Sequence, residues 1–210
     1  ALAALALGVR ESRPLAPPAA QSAMRLGRIE RRLAWLIALI GLFTVARVAE
    51  TFVILRAREL GFSVVSCLLL WAAYSAAKSL AALLGGRLAD RWGHDRFLLG
   101  SWCLFALVLL GLGEVNSSYG WWLASALYGA VIGLGEGVER AMVRNSADAS
   151  RQGEAFGWYY LVCGLLAIPG GLAFGSLWQQ LGAGSAFTAA ALLAGLAAGG
   201  LLVWLRHQRD

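Results

Sequence analysis

Gly86-Arg87-Leu88-Ala89-Asp90-Arg91-Trp92-Gly93-His94-Asp95-Arg96 separates two long apolar runs and decides how the chain folds. Six of its side chains are charged or titratable: Arg87, Asp90, Arg91, His94, Asp95 and Arg96. A segment that short and that charged cannot sit in hydrocarbon, where unpaired charges and open backbone groups are costly. It therefore marks a point where the chain turns round at a membrane face.

Outward from that turn, the composition is that of a membrane protein. Hydrophobic residues make up 59% of the 210-residue chain and charged residues 14%, where an average soluble chain is about a quarter charged. The mean hydropathy is +0.66. Twenty-six glycines and nine tryptophans fit the same class, because Gly is frequent in membrane helices and Trp favours their interfaces. The net charge of +6 does not imply a nucleic-acid partner, since the arginines sit in short connections rather than on one soluble face. Cys67, Cys103 and Cys163 all fall inside apolar runs. That placement argues against a disulfide framework and against metal-ligand spacing, so no metal and no cofactor is expected.

Residues 1–9 form an apolar stub too short to span, with neither the charged start nor the small-residue cleavage site of a signal peptide. It reads as the last turns of a helix that begins upstream, which makes the chain a fragment. Residues 10–32 carry Pro14, Pro17, Pro18 and several arginines, and read as a solvated linker. Residues 33–205 then hold six apolar runs, at 33–56, 63–86, 97–114, 120–141, 155–179 and 184–205. Each is close to the roughly 20 residues that cross a bilayer. Residues 206–210 form a short tail. The fold class is an all-α, polytopic bundle of six transmembrane helices.

Basic residues set the orientation. Fourteen arginines, at 10, 13, 25, 28, 31, 32, 87, 91, 96, 140, 144, 151, 206 and 209, fall on one side of this topology, against Arg56 and Arg58 on the other. The asymmetry puts both ends of the bundle in the cytoplasm of an inner cell membrane. Trp35, Trp121, Trp122, Trp178 and Trp204 lie at run ends and read as interfacial anchors.

Four ionisable residues lie inside the runs. Arg47 and Glu50 are three apart and so share one face of a continuous helix. They either bind a charged substrate group or carry a proton, or they form a salt bridge that only pins helices. Lys78 sits about three turns before the charged turn, roughly 15 Å by helix rise, a long reach for a snorkelling lysine. An inward position follows, with Glu136 as one available partner. Glu136 also stands four before Arg140, the favourable order for a helical ion pair. Arg140 reads as a rim residue and Glu136 as a candidate for proton or substrate coupling. Gly129, Gly133 and Gly137 recur every fourth residue and form a small-residue face for close helix approach. Gly171 and Gly175 repeat the spacing, and Pro169 should bend its helix. The Gly-x-Gly-x-Gly at 133–137 follows no strand, which rules out a dinucleotide cradle.

The pattern G-x-x-x-D-R-x-G, carried by Gly86, Asp90, Arg91 and Gly93, resembles the signature loop of the major facilitator superfamily. Arg151-Gln152-Gly153-Glu154-Ala155-Phe156-Gly157 resembles the stretch that opens the eleventh helix of that family, and Gly8-Val9-Arg10-Glu11-Ser12 resembles the close of the sixth. The resemblance implies that the six runs are helices seven to twelve, with residues 10–32 as the central linker and a missing N-terminal six-helix half as partner. It makes Asp90 a conformational latch that meets the N-terminus of a helix in that other half, with Arg91 and Arg96 adding bridges. His94 and Asp95 depart from the basic pair the family usually shows. The implied function is secondary active transport of a small solute by alternating access in the bilayer, proton-coupled, as a permease or an efflux antiporter of the plasma membrane. A lipid-modifying membrane enzyme and a non-transporting scaffold are the alternatives. The first lacks ligands or nucleophiles beyond the Glu136/Glu139 pair, and the second makes the buried ions purely structural.

Overall fold

The computed structural model describes residues 30–47 and 50–207, and every regular element among them is helical. The expected stub at 1–9, nearly all of the linker at 10–32 and the end of the tail fall outside the described residues. Helices α1 (Arg31–Ala46) and α2 (Glu50–Glu59) together make the first passage. They are followed by α3 (Val64–Trp92), α4 (His94–Glu114), α5 (Ser118–Asn145), a 3-10 turn at Ala149–Arg151 and α6 (Gln152–His207). Within α6 the backbone leaves helical geometry at Gly182 (φ 85, ψ 168), so 152–181 and 183–207 are two separate limbs. The described residues thus cross the bundle six times.

Two glycines make the tightest connections. Gly93 (φ 87) is the whole link between α3 and α4, and Gly182 is the whole link between the two limbs of α6. At such positive φ a side chain would clash with its own backbone, so glycine is the residue that fits.

The helices overrun the apolar segments of the sequence. Helix α3 has 29 residues, a length of roughly 44 Å against a hydrocarbon thickness of about 30 Å. Its last turns therefore emerge among headgroups, where a helix can keep its hydrogen bonds and still carry charge. Hence Arg87 to Trp92 are helical and His94 opens α4, where a solvated loop over 87–96 is the sequence expectation. Four helical stretches are long and apolar enough to cross a membrane by composition: 31–59, 64–92, 94–114 and 149–207. Helix α5 is long enough but diluted by Gly, Ser, Tyr and Trp.

The first passage differs from the expected unbroken run at 33–56. Helix α1 ends at Ala46, and Arg47 (φ −72, ψ 99) is extended. Arg47 and Glu50 therefore do not share a helical face. The cause is tertiary: each is drawn to a partner on a different helix.

Contacts identify two ends of the bundle. At one, the Arg32 guanidinium lies over the Trp204 ring at 5.8 Å, so the described chain starts and finishes together. At the other, Arg56 donates to Asn116 at 2.8 Å and Trp178 Nε1 donates to Glu59 at 2.9 Å. Close packing is built from small residues. A Cβ at Gly129 or Gly133 would collide with the backbone carbonyls of Tyr74 and Lys78, so α5 lies directly on α3. Gly85 faces the Leu134 carbonyl across the same seam. Gly170 rests on Val45, and Gly113 meets Gly184. Helical geometry persists through Pro169, and the only non-helical position within α6 is Gly182.

Tryptophans at two of the expected interfacial anchors are instead core residues. Trp121 is fully buried and donates to the Val53 carbonyl at 3.2 Å, while Trp178 is buried beside Phe174 and Phe187. A buried indole needs an acceptor; Trp121 finds one inside the bundle and Trp178 finds Glu59 at its end. Trp35 does lie exposed. Leu68, Leu83, Leu107, Leu172 and Leu196 cover the outside, an apolar surface that suits lipid rather than water.

Candidate functional site: an ion ladder across three passages

Helix α5 carries the frame of the site. Glu136 and Glu139 are one helical turn apart, and each receives cations from other passages. The Lys78 ammonium lies 3.0 Å from Glu136 and 3.6 Å from Glu50, so a single cation on α3 bridges acids on α5 and α2. Lys78 is the midpoint of α3, the depth at which a charge is most costly to leave unpaired. Glu50 is further held by Tyr74, whose hydroxyl donates at 2.9 Å, and by Trp71 Nε1 at 3.2 Å. These side chains are partly exposed on one side of the bundle.

The second rung is buried at its acidic end and partly exposed at Arg47. Arg47 Nη2 donates to Glu139 Oε1 at 2.6 Å, and Trp102 Nε1 donates to the same oxygen at 3.2 Å. Glu139 is only 1% exposed. The Arg47 guanidinium also lies 5.3 Å from the centre of the Phe43 ring, which stacks on Trp102 at 4.3 Å. Glu139 Oε2 and Arg47 Nε have no hydrogen-bond partner among the described residues. The pair is thus neutral but incompletely satisfied.

All four candidate coupling residues, Arg47, Glu50, Lys78 and Glu136, stand in this ladder. One expected arrangement is replaced: Arg47 meets Glu139 rather than sharing a face with Glu50. Of the two partners the sequence offers Glu136, Lys78 is the one that meets it, and Arg140 is exposed. Proximity along one helix loses to a deeply placed ammonium in need of a carboxylate. Glu139 is the functional candidate that sequence reasoning misses, together with Trp71, Tyr74 and Trp102. The available signal was the matching i, i+3 spacing of the acids on α5 and of Arg47/Glu50.

The signature segment lies at the end of the bundle that holds Arg32 and Trp204. Asp90 is largely exposed, with His94 Nε2 at 3.6 Å. It borders a groove of about 390 Å³ that is also lined by Gly86, Gly137, Arg140 and Arg144. Arg91 and Arg96 project into a different groove. Gly137 and Gly171 face open space, whereas Gly175 lies against the Phe52 ring.

Six helical passages with an apolar outer surface define an integral, multi-pass membrane protein. The sequence model of the Major Facilitator Superfamily matches residues 33–210, and the chain belongs to that family. It is similar to an uncharacterized MFS-type transporter of Methanocaldococcus jannaschii, 26% identical over 157 residues, covering 72% of this chain and 39% of the relative. Among solved structures it resembles the POT family transporter PepTSo, with a TM-score of 0.69 and 17% identity over 84% of this chain and 38% of that one. A peptide transporter of the POT family, solved as an E310Q mutant in complex with alafosfalin, matches with a TM-score of 0.66 and 19% identity, covering 81% and 37%. The chain spans under two fifths of the length of each of these proteins.

Proposed function

We propose that the protein is a secondary active transporter that moves a small solute by alternating access and couples that movement to protons. The observation that carries the coupling is the charge balance of the ladder. Three carboxylates, Glu50, Glu136 and Glu139, meet two cations, Arg47 and Lys78. One negative charge in excess inside a membrane span calls for a proton, a cation or a cationic solute. Lys78 bridges two acids at unequal distances, so protonating one of them would release the lysine to the other. A change of that kind can bias one arrangement of the bundle over another.

The partly exposed side holding Glu50, Lys78 and Glu136 is read as half of a solute cavity, closed in the whole protein by a second six-helix unit. Asp90 is read as a latch to that unit. Among the described residues its carboxylate is unengaged apart from His94, and it suits the N-terminal amides of a facing helix. The arginine asymmetry favours cytoplasmic placement of the end that carries Asp90, in the cell (inner) membrane. The family relatives are transporters, and the ladder has a carrier's charge pattern rather than a nucleophile or metal centre, so no enzymatic step is proposed.

The test uses the full-length protein in liposomes with a trapped pH dye and a panel of labelled solutes. Solute flux that moves protons and falls to background in Glu136→Gln, Glu50→Gln and Lys78→Ala is the expected result. Flux indifferent both to the pH gradient and to all three substitutions would overturn the coupling site.

A further inference from the structure

The turn at Gly93 sorts its charges onto two sides. Asp90 and His94 face the groove shared with Arg140 and Arg144, whereas Arg91 and Arg96 open into a separate cleft of about 670 Å³. That volume falls in the usual range of ligand sites, about 300–1,000 Å³. Its mouth holds the two guanidinium groups and the exposed Trp92. Beyond them the lining is Leu88, Phe97, Leu104 and Leu134 of α5, with Ser101, whose hydroxyl is spent on the Leu98 carbonyl at 2.8 Å. No acidic side chain lines it, and neither arginine forms an ion pair among the described residues. Gly100 leaves the middle of the cleft open, with nothing within 4 Å of where a Cβ would stand.

We infer that this cleft binds an anionic phospholipid, with the phosphate between Arg91 and Arg96 and an acyl chain lying along Gly100 and Leu104. Two forked guanidinium groups match phosphate oxygens bidentately. A basic mouth between membrane helices, continued by an apolar trough, has the shape of a lipid rather than of a soluble anion. Trp92 places the mouth at headgroup depth.

The purified full chain, in detergent, is titrated with phosphatidylglycerol or phosphatidylcholine of identical acyl chains and the retained lipid is read by native mass spectrometry. Retention of phosphatidylglycerol is expected to exceed that of phosphatidylcholine roughly tenfold, at about threefold or more per arginine. The double variant Arg91→Gln/Arg96→Gln should remove the preference, and Gly100→Leu should reduce retention with the charges intact. Arg140→Gln/Arg144→Gln, which removes equal charge from the other groove, should keep it. Equal loss in both double variants would overturn the inference by reducing it to net charge. So would unchanged retention in Arg91→Gln/Arg96→Gln, or displacement of the lipid by glycerol phosphate at matched concentration.

Discussion

The two rungs of the ladder use the same chemistry to opposite ends. Glu139, Arg47 and Trp102 form a one-to-one ion pair whose carboxylate is buried beside aromatic rings, while Glu50, Lys78 and Glu136 share one cation between two acids that are both partly exposed. A neutral pair with a buried carboxylate has one favourable arrangement and resists change. An open, unbalanced triad has at least two, depending on which acid holds the lysine. Under the proposed function, anchoring falls to the Glu139 rung and switching to the Lys78 rung.

Substitution in the open rung should give the largest change. Lys78→Ala in the full-length protein is expected to bring coupled flux to background, while detergent-purified protein keeps most of its thermal stability. If it instead fails to fold, the two rungs are not distinct. Glu139→Gln should do the reverse, leaving Arg47 without its counter-charge. Removing one member of a buried pair costs about 3–5 kcal/mol, which denaturation in detergent would report as a markedly lowered melting temperature. Trp102→Phe sharpens the contrast by deleting a single bond to the same carboxylate, with an expected loss of about 1.5–3 kcal/mol. Arg56→Gln, at the opposite end of the bundle, breaks only exposed contacts with Glu59 and Asn116. It should change stability by less than about 1 kcal/mol.

Much of this architecture is legible in the sequence, and its limits are physical. Length and hydropathy expose the passages, and Gly61, Gly93 and Gly182 punctuate them at positive φ. The interruption at Arg47 is not legible. Thr44-Val45-Ala46-Arg47-Val48-Ala49-Glu50 contains neither glycine nor proline, and only partners far along the chain distinguish it from a continuous helix. Glu139 is hidden for a related reason. Next to Arg140 and near a charged exit it looks like a rim acid, and its burial depends on Trp102, Phe43 and Arg47 arriving from elsewhere. The tryptophans divide likewise, since a run-end position fits Trp35 in lipid and Trp121 in the core equally well.

Backbone-to-backbone contact at Gly129 and Gly133 leaves α3 and α5 no layer of side chains along which to shear. The backbones that carry Lys78 and Glu136 are therefore expected to move together while the lysine side chain changes partner, and Glu50, on the short helix that follows the interruption, is expected to move relative to both. Spin labels on α3 and α5 should report one fixed separation in every condition. A pair joining α2 to α3 should report two.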